Sequence, residues 1–101
     1  ALEIYERLAQ SNPQAYEPDL AMSYNNLANL YSDTQRFSDS ETMYKQAIEI
    51  RKRLAQSNPQ AYSTDLASLY YNIGNLYLFN DHLSESEEMF MASLDIYENL
   101  T

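Results

Sequence analysis

Apolar residues return along this chain every three or four positions, and the stripes they make come in pairs. Leu20, Tyr24, Leu27, Ala28 and Tyr31 form one stripe, and Phe37, Met43, Tyr44, Ala47, Ile48, Ile50 and Leu54 form the next. The pattern recurs with Leu66, Tyr70, Ile73, Gly74 and Tyr77, followed by Leu83, Met89, Phe90, Leu94 and Ile96. Steps of three and four place such residues on one side of an α-helix. Between paired stripes lie Ser32 to Arg36 and Phe79 to His82, polar turns short enough to fold two helices antiparallel. Ser38-x-x-Glu41 and Ser84-x-x-Glu87 read as capping boxes that open the second helix of each pair. Pro18 suits a first helical turn, with Asp19 near the positive end of the dipole. Asn12-Pro13 and Asn58-Pro59 are expected to stop the preceding helices, because a residue before proline is pushed out of the helical region. The spacing predicts five helices, over residues 1–10, 18–33, 37–56, 64–79 and 83–100.

The pairs are copies of one another. Arg7 to Tyr16 and Arg53 to Tyr62 both read RLAQSNPQAY, and a shift of 46 residues matches roughly half of all aligned positions. Most mismatches keep size or polarity, as where Leu27 meets Ile73, Ala28 meets Gly74, Phe37 meets Leu83 and Tyr44 meets Phe90. Agreement of this kind between neighbouring segments points to structural repetition. One further observation follows from helical geometry at about 100° per residue. Met22, Asn25, Asn26, Asn29 and Asp33 share the face of the first helix opposite the Tyr24, Leu27 and Tyr31 stripe. In the next pair the same face carries Ser68, Tyr71, Asn72, Asn75 and Phe79, with Leu78 at its margin.

These residues resemble the tetratricopeptide repeat, whose first helix carries W-x-x-L-G-x-x-Y and whose second carries A-x-x-x-F with a later alanine and proline. Here the first helix reads Tyr24-x-x-Leu27-Ala28-x-x-Tyr31 and then Tyr70-x-x-Ile73-Gly74-x-x-Tyr77. The second reads Ser40-x-x-x-Tyr44-x-x-Ala47 and then Ser86-x-x-x-Phe90-x-x-Ser93. Large aromatics fill the space between helices, while Ala28, Gly74, Ser40 and Ser86 let paired backbones approach. The period of 46 exceeds the usual 34, and Lys52 stands where the terminating proline is expected. Lengthened repeats of this kind look like those of kinesin light chains, with which the chain shares the phrases ALEI (residues 1–4) and NNLA (residues 25–28). The alternative helical-pair array, of the HEAT type, fits less well with a small residue at Ala28 and Gly74 flanked by aromatics.

The resemblance implies an all-α, right-handed superhelical stack of antiparallel helix pairs, about two and a half repeats long. Residues 1–17 would be the second half of a preceding repeat, 18–63 one repeat and 64–101 another. The array is expected to be part of a longer one, because it opens on a half-repeat and closes on Met89, Phe90, Met91, Leu94, Ile96 and Leu100 rather than a polar cap.

Composition narrows the function. The chain is 45% hydrophobic with one glycine and three prolines among 101 residues, too few turn formers for an all-β fold. Mean hydropathy is −0.57, so the apolar residues are spread among polar ones. Fifteen acids against six bases give a net charge of −9, which disfavours nucleic acid and anionic membrane surfaces. Every Lys and Arg lies between Arg7 and Arg53, so the last half is purely acidic and suits a neutral, aromatic or basic partner. There is no cysteine, hence no disulfide, thiolate metal site or cysteine nucleophile. No apolar run approaches the roughly 20 residues of a membrane span, and no signal peptide is visible. A cytoplasmic location is expected. The sequon Asn99-Leu100-Thr101 reads as coincidence.

No catalytic set emerges. His82, the single histidine, lies in a polar turn beside Asp81, Glu85, Glu87 and Glu88. That cluster lacks the alternating ligands and glycine of a calcium loop, and acids at a helix start are favoured by the dipole alone. The serines have no histidine partner. No enzyme activity, metal or cofactor is expected.

Recognition remains. The resemblance places the face of Met22, Asn25, Asn26, Asn29, Asp33, Ser68, Tyr71, Asn72, Asn75 and Phe79 on the concave groove where extended peptides lie. Asparagine amides both donate to and accept from a peptide backbone. Relatives that clamp a terminal carboxylate add lysine or arginine, and here those neighbours are Met22, Asn25, Ser68 and Tyr71. The cationic half of the clamp is missing, so a basic or aromatic segment fits better than an acidic one. A protein- or peptide-binding scaffold is the reading, and self-association through terminal helices into a homo-oligomer is the alternative.

Overall fold

The structure is a computed structural model that describes residues 2–100. The start assigned to Ala1 and the sequon's Thr101 lie outside the described residues. Five α-helices follow one another: α1 (Leu2–Ser11), α2 (Pro13–Asp33), α3 (Phe37–Ser57), α4 (Pro59–Phe79) and α5 (Leu83–Leu100). No strand occurs among the described residues. The chain divides into two compact units, residues 1–50 and 51–101, with the division falling inside α3.

The Asn-Pro steps do more than the sequence reading assigned to them. Asn12 and Asn58 each stop one helix and start the next. Asn12 N–H donates to Leu8 O at 2.8 Å, and its own carbonyl accepts from Ala15 and Tyr16. Asn58 repeats this with Leu54, Ala61 and Tyr62, and its side chain also accepts from Ala61 N–H. Both asparagines are extended, at φ −146 and −144. Pro13 and Pro59 then occupy the first helical position, where a missing N–H costs nothing. So α2 and α4 begin five residues before the expected 18 and 64. Pro18 is inside α2, not in its first turn. There it leaves the carbonyl four residues back without a helical N–H, and the second copy has Thr64 at that position.

The two turns also repeat. Gln35 and Asp81 take left-handed backbone, at φ 61 and 63. Arg36 N–H donates back to Tyr31 O at 2.7 Å and Gln35 N–H to Ser32 O at 3.1 Å. His82 N–H donates to Tyr77 O at 2.9 Å and Asp81 N–H to Leu78 O at 3.2 Å. This double return is the Schellman ending, built without glycine in both copies. The residue after each left-handed position covers the tyrosine it bonds to. Arg36 lies 4.3 Å over the Tyr31 ring, and His82 sits 6.0 Å from Tyr77. The expected capping boxes do not form in the stated register. Ser40 N–H donates to Arg36 O and Ser86 N–H to His82 O, so Arg36 and His82 are the capping residues and Ser38 and Ser84 are already helical.

In the first unit, α1 packs on α2 and α2 on the start of α3. Tyr24 OH donates to Glu6 Oε2 at 2.6 Å across α1 and α2. Burial first, then the Glu6 carboxylate, pushes the Tyr24 hydroxyl up to about 12. Ser40 is fully buried and donates to Ala28 O at 2.8 Å. Ala21, Ala28 and Ala47 have no exposed surface, which is what lets helices approach closely.

In the second unit, α4 and α5 are joined the same way, Ser86 donating to Gly74 O and Ser93 to Ala67 O, each at 2.9 Å. Leu69 and Ile73, both 1% exposed, form the centre of this core. Burying each is worth about 2 kcal/mol. Two positions assigned to the core stripe are on the surface instead: Leu83 is 62% and Leu94 50% exposed.

Candidate peptide-binding face

The ten residues singled out in sequence lie on α2 in the first unit and α4 in the second. On α2, Met22 is 54% exposed, Asn26, Asn29 and Asp33 are exposed, and Asn25 is half-buried. Asn29 is not devoted to a ligand. Its Oδ1 accepts a hydrogen bond from Tyr44 OH, tying α2 to α3. Burial, and then the Asp33 charge, raises the Tyr44 hydroxyl above the usual tyrosine value. The Asn29 amide nitrogen remains the donor end of that side chain.

On α4, Ser68 and Tyr71 are exposed, Asn72 and Asn75 half-buried, and Phe79 is the most exposed large apolar side chain at 81%. Tyr71 tilts against Phe90 of α5, ring centroids 5.5 Å apart. This contact turns the edge of the α4 face into a groove of about 380 Å³ lined by Tyr71, Phe90, Ser93, Leu94 and Tyr97. Sequence reading found Tyr71 but placed Phe90 and Leu94 in the core stripe and omitted Tyr97. The signal was present, because residues 90, 94 and 97 repeat at helical spacing. A second groove of similar size, lined by Lys52, Ala55, Leu66, Tyr70, Asp95 and Ile96 among others, lies in the same unit.

His82 is a surface residue whose Nδ1 lies 3.3 Å from Glu85 Oε2. Glu85's own backbone N–H, and then His82, hold its carboxyl below the usual range. Among the described residues, no group of three or more His, Asp and Glu side chains is placed to hold a metal ion. Nor is any described helix long and apolar enough to cross a membrane.

Comparison with curated proteins and with solved structures gave no match. Two models of the tetratricopeptide repeat match the chain, over residues 20–60 and 67–100, the first being of the kinesin-light-chain-like type. Those spans carry the Ser40–Ala28 and Ser86–Gly74 joints, the aromatic fillers and the duplicated turns. The chain belongs to the tetratricopeptide repeat family.

Proposed function

We propose that this chain is a non-catalytic scaffold that holds an extended peptide or protein segment against the outer faces of α2 and α4. Tetratricopeptide repeats generally mediate protein–protein interaction, and the finer reading rests on one observation. The α4 face presents Phe79 and Tyr71, 81% and 54% exposed, beside the amides of Asn72 and Asn75. Exposed aromatic rings supply contact area at low entropic cost, and adjacent amides satisfy a peptide backbone. On α2 the corresponding work falls to Met22, Asn25, Asn26, Asn29 and Asp33. With no Lys or Arg after Arg53, the α4 face favours a basic or aromatic segment over an acidic one. A cytoplasmic location is part of the same proposal.

Selection from a random peptide display library, followed by calorimetry on the selected peptides, tests this. Selected sequences should be aromatic or basic, and the double variant Asn72→Ala, Asn75→Ala should lower their affinity at least ten-fold. Full affinity in that variant removes the α4 face from the proposal. A second reading, self-association, is favoured by the exposure of Ile4 on α1 and of Met91, Leu94 and Tyr97 on α5. Sedimentation across a concentration series decides it, a strict monomer ruling it out.

A further inference from the structure

The groove between α4 and α5 differs from its counterpart in the first copy in one direction. Shifted by 46 residues, Tyr71 replaces Asn25, Tyr97 replaces Arg51, and Leu94 replaces Ile48. The first-copy positions are buried or half-buried, whereas Tyr71, Leu94 and Tyr97 are 54%, 50% and 42% exposed. The second copy has thus exchanged two polar residues for tyrosines where its side chains meet solvent. Repeat architecture does not require this, since the first copy folds with Asn25 and Arg51. Exposed apolar side chains that have replaced polar ones around a formed groove point to a partner.

The shape and charge of the groove select the partner's chemistry. Phe90, Leu94 and Tyr97 follow at spacings of four and three, a straight apolar stripe along α5. Tyr71 closes the other side from α4. Glu87 and Glu98 flank that stripe on α5 by helical angle, and residues 54–101 contain seven acids and no Lys or Arg. An apolar trough beside an acidic wall matches a helix with apolar residues along one side and basic residues beside them. The geometry points to the α4–α5 groove as a docking site for a basic amphipathic helix of a partner protein. This site rests on the protein-binding reading but shares only Tyr71 with the proposed peptide face, so the two fail independently.

The probe is a fluorescein-labelled 18-residue peptide with leucine at helical spacing and lysine at the remaining positions. Its mirror in charge replaces lysine by glutamate. A third peptide copies residues 64–79, a neutral-to-acidic helix of this chain's own repeat. Anisotropy should show the lysine peptide bound at least ten-fold more tightly than the other two, with affinity falling as salt rises. Leu94→Ser and Tyr97→Ser should each reduce that affinity at least five-fold, with helicity by circular dichroism unchanged. Asn72→Ala with Asn75→Ala should leave it within two-fold, which separates this site from the peptide face. Amide shift changes should centre on Tyr71, Phe90 and Leu94. The proposal is overturned by equal binding of the glutamate peptide, or by tighter binding of the 64–79 peptide, which would make the groove a seat for a further repeat helix. It is also overturned if Leu94→Ser abolishes self-association without changing peptide affinity, which would make the occupant a second copy. A loss of helicity in Leu94→Ser transfers the decision to Tyr97→Ser, whose side chain leaves the groove lip without touching the core stripe.

Discussion

Replacing Gly74 by alanine sets two effects of known size against each other. Gly74 lies in the interior of α4 with ordinary helical backbone, since no glycine takes positive φ. Conformation does not demand glycine there, and alanine would gain about 1 kcal/mol in helix propensity. Space is the obstacle. A Cβ would lie 2.8 Å from Cδ1 and Cε1 of Phe90 and 3.2 Å from its Cζ. The ring would have to retreat by several tenths of an ångström, and it is held against Tyr71. Overpacking of this kind costs about 1–3 kcal/mol. The costs outweigh the gain, and Gly74→Ala should destabilise by about 1 kcal/mol. Urea unfolding followed at 222 nm would read this as a lower midpoint with unchanged slope. The discriminating step is the same change in a Phe90→Leu background. With the ring removed, only the propensity gain remains, so Gly74→Ala should become stabilising and the cycle should show coupling of about 1–3 kcal/mol. A stabilising Gly74→Ala in the parent chain, or equal effects in both backgrounds, would refute the reasoning. The first copy shows that the position itself accepts alanine, as Ala28 is fully buried there opposite Tyr44, whose hydroxyl is anchored to Asn29.

Three further outcomes are expected. Ser40→Ala and Ser86→Ala each remove a buried hydrogen bond to a carbonyl on the paired helix, and each should cost about 1 kcal/mol by the same urea assay. Gln35→Gly and Asp81→Gly relieve left-handed backbone at the helix ends, and each should add about 1 kcal/mol and raise Tm by a few degrees. Tyr24 has a folded pKa of about 12 against about 10 unfolded. Its stabilisation is therefore complete below pH 10 and lost as pH rises toward 12, an effect of about 2 kcal/mol at most. Thermal unfolding of Tyr24→Phe beside the parent chain should show a shallower loss of stability over that window.

Periodicity alone was enough to place the helix interiors and the 46-residue repeat, because a period near 3.6 is written in the identity of Leu20, Tyr24, Leu27 and their copies and needs no partner to be read. The small residues at Ala28, Gly74, Ser40 and Ser86 were legible too, since close helix approach tolerates little else. Helix starts were harder. Asn-Pro carries a stop signal and a start signal in the same two letters, and only the observed bonds of Asn12 and Asn58 in both directions show that both act. The capping serines misled for a related reason: the turn closes by backbone return to Tyr31 and Tyr77, which moves the cap to Arg36 and His82. The ten face residues could be named because they share single helices. That Asn29 is partly spent on Tyr44 could not, because the bond joins two helices. The α4–α5 groove belongs to the same class. Tyr71 is nineteen positions from Phe90 in sequence, and only packing of the two helices, through Ser86 on Gly74 and Ser93 on Ala67, brings their rings to 5.5 Å. Sequence determined what each helix is, since that depends on neighbours along one chain segment. Tertiary structure decided which apolar side chains remain at the surface, since burial depends on what packs across from them.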